Sequence, residues 1–324
     1  MAGGARAFVL AAGLGTRLRP LTETWPKPAV PLLGSPLLRR TFAVLSRAGV
    51  DRVALNTHHL PEVMERVAGE EGARRGLAVT TVHEPFIQGT GGGLRGLQRA
   101  LPGDDVVIAW NGDILFAPDL APLLAEHQAS GAAATMVLLP IPPGRSYGVV
   151  EGDADGLVRR IGRPGAGPLP GCTAWHFSGV HFLSPRVFEA MTPEGPEDIN
   201  HDVYPRLFGQ RGVRGVVVDA PWSDLGSPAT YLETQSDLLL GRVADPLGPE
   251  SPLAGRGATG PLVETGARVH PTASVAPDVF VAAGVEVPAG AHVRGTALLP
   301  GAVVGPCETV DGEIRWSGQS LGSG

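Results

Sequence analysis

The sequence predicts an α/β fold: a Rossmann-like mixed sheet followed by a short parallel β-helix. Three patterns carry that expectation. From residue 6 to about 140, short apolar runs alternate with helical patterns, the next hundred residues carry strand-like segments joined by tight turns, and a late segment repeats with period six. Strands separated by helices of about 10–15 residues form βαβ units and a mostly parallel sheet.

The expected strands of the first part are residues 5–12, 52–57, 77–83, 105–110 and 133–141, and the expected helices are 36–48, 61–75, 91–100 and 118–130. Residues 148–151 and 157–161 then read as a hairpin around Asp153-Ala-Asp-Gly156, because Asp-Gly suits a tight turn. Residues 175–182 alternate, 213–218 form another apolar run, and 227–240 read as a helix. These antiparallel additions would complete one domain over residues 1–241 and wall its site. Residues 242–265 are rich in Gly, Pro, Ala and Asp without apolar periodicity and read as a linker.

In the next segment, 266–306, Val269, Val275, Val281, Val287, Val293 and Leu299 form one apolar set. Four residues after each stand Ala273, Val279, Val285, Ala291, Ala297 and Val303, all small or β-branched. Such hexads stack as a parallel β-helix, one aliphatic side chain per hexad pointing inward, and six of them make about two coils. Residues 307–324 carry no clear pattern and read as a tail.

Composition removes several function classes. A net charge of −6 and a pI near 5.8 disfavour non-specific binding to nucleic acid or acidic membranes. The apolar run before Gly13 and Arg17 is too short for a signal-peptide core, and no window approaches the ~20 apolar residues of a membrane span. Cys172 and Cys307 lack disulfide-framework or metal-ligand spacing and read as free thiols in a reducing compartment. A soluble, cytoplasmic protein is the expectation. The histidines show no zinc-type spacing, and His58, His59, His83, His176, His181 and His201 read as packing or surface residues.

An acidic protein that handles anions must gather positive charge locally. Lys27 is the only lysine among 26 Lys and Arg side chains. An ammonium is a compact point charge and guanidinium a planar fork, so the single exception to an arginine bias marks a position where the point charge matters. Lys27 follows an apolar strand and a loop with Gly13, Gly15, Arg17 and Arg19. The two glycines allow successive N–H groups to aim at one anion. In parallel sheets ligands bind beyond the carboxyl ends of the strands, where this loop and Asn111-Gly-Asp113 both fall.

The run Leu10-Ala-Ala-Gly-Leu-Gly-Thr-Arg-Leu-Arg-Pro-Leu-Thr, followed by Pro26-Lys27-Pro28, resembles the signature of sugar-1-phosphate nucleotidyltransferases, the nucleotide-sugar pyrophosphorylases. The resemblance covers about residues 5–240, and a left-handed β-helix often follows in that family. It implies a GT-A-like nucleotidyltransferase domain acting on an NTP and a sugar-1-phosphate with Mg²⁺. Ala11, Ala12, Gly13, Gly15 and Thr16 would hold the base and phosphates; Arg17 and Lys27 would neutralise the triphosphate at the reacting centre. Glu84 and the Gly89-Thr90-Gly-Gly loop would line the base. Asp113 and Asp224 would be the metal ligands, and Gly148, Arg163 and Ser178 fall where the sugar and its phosphate are held.

Two positions depart from that pattern. Gly162-Arg163-Pro164 replaces a frequent Glu-Lys-Pro, and Phe177-Ser178-Gly179 replaces a frequent Asn-Ala-Gly, which removes the usual sugar readers. Gly89-Thr90-Gly-Gly-Gly with a short β-helix looks most like mannose-1-phosphate or heptose-1-phosphate guanylyltransferases. N-acetylmuramate-1-phosphate uridylyltransferases share the loop, and a non-catalytic, nucleotide-sugar-binding regulatory subunit is a further alternative. The β-helix would serve capping or homo-oligomer assembly; two coils are too few for an acyltransferase site.

Overall fold

The computed structural model describes residues 5–142, 147–162, 169–209, 212–256 and 260–323. The chain forms two compact units. One is built from the segment up to Gly13 together with Phe42–Trp222, the other from Leu14–Thr41 together with Ser223–Gly324. The expected boundaries at 241 and 265 do not coincide with this division.

In the first unit, Arg6–Leu10 lies parallel to Arg52–Thr57 on one side and Val107–Asn111 on the other, and Ala78–His83 extends the parallel part. Arg6–Leu10, Arg52–Thr57 and Val107–Asn111 are buried almost throughout, without alternation, because helices such as Gly89–Ala100 cover the sheet. The long strand Thr173–Leu183 turns the sheet mixed: it runs antiparallel to Val107–Asn111, Ala134–Leu139 and Val149–Gly152. Val213–Val217 then pairs parallel with Ala134–Leu139, and Val149–Gly152 with Val158–Gly162 makes the expected hairpin. Phe8, Leu94, Ala109, Met136, Leu183 and Tyr204 fill the core between sheet and helices.

Two consequences of this topology position the site. Leu10 pairs in register with Asn111, and Gly112 N donates to Leu10 O at 2.9 Å, so the first loop and the Asp113 turn leave the sheet at one edge. Thr173–Leu183 also shifts register between Phe177 and His181. Gly179 occupies that irregularity at φ +92°, where a Cβ would stand 3.0 Å from the Asn111 side chain. Only glycine fits both the backbone and the space.

The second unit contains the parallel β-helix. One face stacks Leu262–Val263, Phe280–Val281, Ala297–Leu298 and Glu313–Trp316; a second stacks Arg268–Val269 on Glu286–Val287; a third stacks Ser274–Val275, His292–Arg294 and Thr309–Asp311. The helix is therefore longer than the two coils expected over 266–306, and the supposed tail supplies strands, closed by Gln319–Gly322 antiparallel to Glu313–Trp316. Period six fails at the Gly295 turn (φ +55°), which is one residue shorter. Leu298 consequently stacks on Val281 and Val310 on Val293. Val303, expected inside, is 64% exposed, while Ala302 and Val304 are buried.

This β-helix packs within its unit against Leu14–Thr41 and the helix Pro228–Leu239. Gln235 donates to Asp278 O and Thr296 O, Trp316 Nε1 to Thr24 Oγ1 at 3.2 Å, and Tyr231 OH to Pro31 O. Arg40 is clamped on Asp245 by two hydrogen bonds and on Leu32 O by a third. The segment bearing Lys27 is thus held from both ends.

Candidate active site

The first unit carries a polar relay behind the loop that follows Leu10. Ala11 N donates to Asn56 Oδ1 at 2.7 Å, Asn56 Nδ2 to Glu84 Oε1 at 2.7 Å, and Gln88 N to Glu84 Oε2 at 3.1 Å. Ala11, Ala12, Asn56 and Glu84 are buried, whereas Gly13 is exposed with open space where a Cβ would be. Both oxygens of Glu84 are engaged by the protein, which makes Glu84 a brace for the loop and for the Gln88 turn. Asn56 was missed in the sequence because a single asparagine ending an apolar run carries no motif.

Gly89, Thr90 and the following glycines form the first turn of the helix Gly89–Ala100, not an open loop. The glycines allow close backbone packing: a Cβ on Gly89 would stand 2.6 Å from Glu197 O, and Gly91 N and Gly92 N both donate to that oxygen. Thr90 Oγ1 donates to Asp198 Oδ2 and accepts from Ile199 N. The helix start therefore carries the π-helical turn Ile199–Val203, a rare geometry frequent at functional sites.

On the opposite wall, Gly148 is exposed and Tyr147 stacks on His176 at 4.8 Å, with Trp222 edge-on to both. Trp222 Nε1 donates to Ser178 O at 2.6 Å. Ser178 itself is fully buried and its hydroxyl accepts from Val180 N, so it supports this wall and does not open onto it. A cavity of about 190 Å³ is lined by Tyr147, Gly148, Gly162, Phe177, Asn200 and His201 among others. Arg163 lies outside the described residues. Deeper, His181 packs as expected: its Nδ1 accepts from Tyr204 OH at 2.6 Å, and burial pushes its pKa down to about 3.

The second unit brings together Arg17, Lys27 and Asp224. Gly15 (φ +61°) turns the loop into the short 3₁₀ helix Thr16–Leu18, and Thr22 Oγ1 donates to Gly15 O. Thr16 and Arg17 are exposed, while Lys27, between Pro26 and Pro28, is only 8% exposed and its Nζ donates to Asp224 O at 3.1 Å. The Ser-Pro pair after Gly226 explains how Asp224 is held. Ser227 caps the helix Pro228–Leu239 through a capping box with Thr230, and Pro228 takes the first helical position. Leu225, buried, is forced to φ +34°, the kind of strain that persists at functional sites. A Cβ on Gly226 would stand 2.8 Å from Arg17 Nη2 and 2.8 Å from Asp224 Oδ2, so the guanidinium and the carboxylate crowd one point.

Among the described residues no group of three or more His, Cys, Asp or Glu side chains could hold a metal unaided. Half-buried Asp113 and Asp224 offer hard carboxylate oxygens. Carboxylate oxygens of this kind, one in each unit, suit Mg²⁺, which is usually held by one or two carboxylates with substrate phosphates and water, and do not suit zinc.

A mixed sheet with a parallel central part, whose glycine-bearing loop and acidic turn leave neighbouring strand ends, defines an α/β nucleotide-binding protein. The chain belongs to the nucleotidyl transferase family, whose profile matches residues 6–240. It is 32% identical over 323 residues to a mannose-1-phosphate guanylyltransferase of Mycobacterium tuberculosis, covering 98% of this chain and 81% of the relative. A UTP–glucose-1-phosphate uridylyltransferase of Synechocystis is 31% identical over 240 residues, covering 70% of this chain and 61% of the relative. The crystal structure of HddC from Yersinia pseudotuberculosis complexed with GMP-PN superposes with a TM-score of 0.59 at 24% identity, covering 71% of this chain and 97% of that one, and shares its fold. No helix among the described residues is long and apolar enough to cross a membrane.

Proposed function

We propose that this chain transfers a nucleotidyl group from an NTP to a sugar-1-phosphate, giving an NDP-sugar and pyrophosphate, with mannose-1-phosphate (or heptose-1-phosphate) and GTP as first substrates. The observation that carries this reading is the approach of Arg17 and Asp224 at Gly226, with Lys27 bound to the main-chain oxygen of the same Asp224. A sugar-phosphate oxygen attacks the α-phosphorus, and both reactants are polyanions. The protein's contribution is therefore positioning and charge neutralisation. Exposed Arg17 meets the departing pyrophosphate, and Lys27, anchored on Asp224 O, offers the point charge nearer the reacting phosphate. The attacking oxygen is already ionised at neutral pH, so no general base is assigned.

The loop Ala11, Ala12, Gly13, Gly15 and Thr16 receives the nucleotide. Glu84, Gly89 and Thr90 support the base side through the relay and the helix start. Gly148 faces the sugar, Ser178 supports that wall through Trp222, and Arg163 is the candidate phosphate contact. Asp113 and Asp224 are the proposed Mg²⁺ ligands; bound Mg²⁺ would offset phosphate charge during transfer. The proposed setting is the cytoplasm without nucleic-acid or membrane partners, with copies assembling through the β-helix.

The test is phosphate release, coupled through pyrophosphatase, across four NTPs and a panel of sugar-1-phosphates. GTP with mannose-1-phosphate should lead. The UTP–sugar relative makes UTP the main competitor. Absence of turnover with every pair would refute the proposal.

A further inference from the structure

Asn200 has a buried Oδ1 with no hydrogen-bond partner among the described residues, yet its residue lines the cavity beside Gly148. A buried acceptor left unmade is costly, so such a group calls for a donor supplied from outside. The side chain is not a loose one. Asn200 N donates to Asp198 Oδ1 at 2.9 Å, and Asp198 is itself tied to Thr90. Glu197, just before, is buried with its carboxylate on Arg206 and Thr192 N and its carbonyl on Gly91 N and Gly92 N. The π-helical turn carrying Asn200 is therefore mounted rigidly on the start of the glycine-rich helix.

The remaining walls narrow the ligand. Met136, Ile161 and Phe177 give apolar surface, and Tyr147 adds an aromatic ring. A volume of about 190 Å³ is below the ~300–1,000 Å³ of pockets for drug-sized ligands and suits one sugar ring. A phosphate oxygen cannot donate to an amide oxygen, whereas a hydroxyl both donates and accepts and so suits either orientation of the amide. Phe177, where a polar sugar reader was missing from the sequence, faces the same cavity as Asn200.

Resting on the function proposed above, we infer that Asn200 is a specificity-determining residue that reads one hydroxyl of the sugar-1-phosphate. It holds the sugar ring between the Ile199–Val203 turn and the Tyr147-Gly148 wall.

The test compares wild type, Asn200→Ala and Asn200→Leu with the best sugar-1-phosphate and its set of monodeoxy analogues. Wild type should lose at least tenfold in kcat/KM for one deoxy position. Both variants should lose that discrimination, so that the parent sugar falls to the level of its deoxy analogue, while KM for the NTP changes less than twofold. Melting temperatures within about 2 °C of wild type establish that the variants fold; Leu fills the wall should Ala disturb it. Variants that fold and still discriminate against every deoxy analogue as wild type does would overturn the role of Asn200 alone. Wild type that turns over no sugar-1-phosphate would instead remove the function on which the role rests.

Discussion

Replacing Gly226 with alanine is expected to cut turnover with little loss of stability. The new methyl would lie 2.8 Å from Arg17 Nη2, 2.8 Å from Asp224 Oδ2 and 3.0 Å from Arg17 Cζ. Carbon contacts are optimal near 3.5–4.0 Å, so those heads must retreat by roughly 0.5–1 Å. Misplacement of that size at reacting groups costs up to about 100-fold in rate. Arg17 is exposed, so its head can swing into solvent, and the folding cost should stay near 1 kcal/mol, or roughly 2–4 °C in Tm. Pyrophosphate release gives kcat and kcat/KM; a thermal melt gives Tm. Gly69→Ala is the control, because a helix position with open space should gain about 0.5–1 kcal/mol and leave the rate alone. A Gly226→Ala enzyme with kcat within twofold of wild type would refute the crowding of Arg17 and Asp224 around this glycine.

Gly93→Ala places a methyl 2.7 Å from Asn56 Nδ2 and 3.1 Å from Glu84 Oε1. Disturbing that relay should raise KM for the NTP about tenfold through one lost hydrogen bond while kcat moves far less, and an unchanged KM would disprove the brace. Asp245→Ala strands Arg40, whose partner side chain is only 2% exposed. Removing one member of a buried pair costs about 3–5 kcal/mol, so Tm should drop on the order of 10 °C, and Arg40→Met with Asp245→Leu should restore much of it. His181 has a folded pKa of about 3 against 6.5 unfolded, so the unfolded state binds the extra proton between those values. Stability is complete above about pH 6.5 and falls as pH drops toward 3, by a few kcal/mol at most; His181→Gln, melted across pH 4–8, should show a shallower decline.

The parallel core was legible because buried runs spaced by helices leave few alternatives, and Lys27 and Asp113 stood out through charge bias and position. Other features were less visible for physical reasons. Gly89-Thr90-Gly-Gly-Gly has poor helix propensity, and its helical state rests on tertiary contacts to Glu197 and Ile199. From its repeat alone the β-helix looks short, because one residue lost at Gly295 breaks a period-six count although the stack continues. Asn200 sits in a π-helical turn with no periodic signature, and only the surrounding cavity distinguishes it from a surface asparagine.

The central claim, that two carboxylates and magnesium make the phosphates reactive, is tested most directly by titrating Mg²⁺ against turnover of wild type, Asp113→Asn and Asp224→Asn. The second substitution leaves the main-chain oxygen that holds Lys27 in place. Wild type should need Mg²⁺ and stop in chelator, and each variant should fall at least about 100-fold at saturating metal. Either variant turning over within a factor of three of wild type would contradict the account.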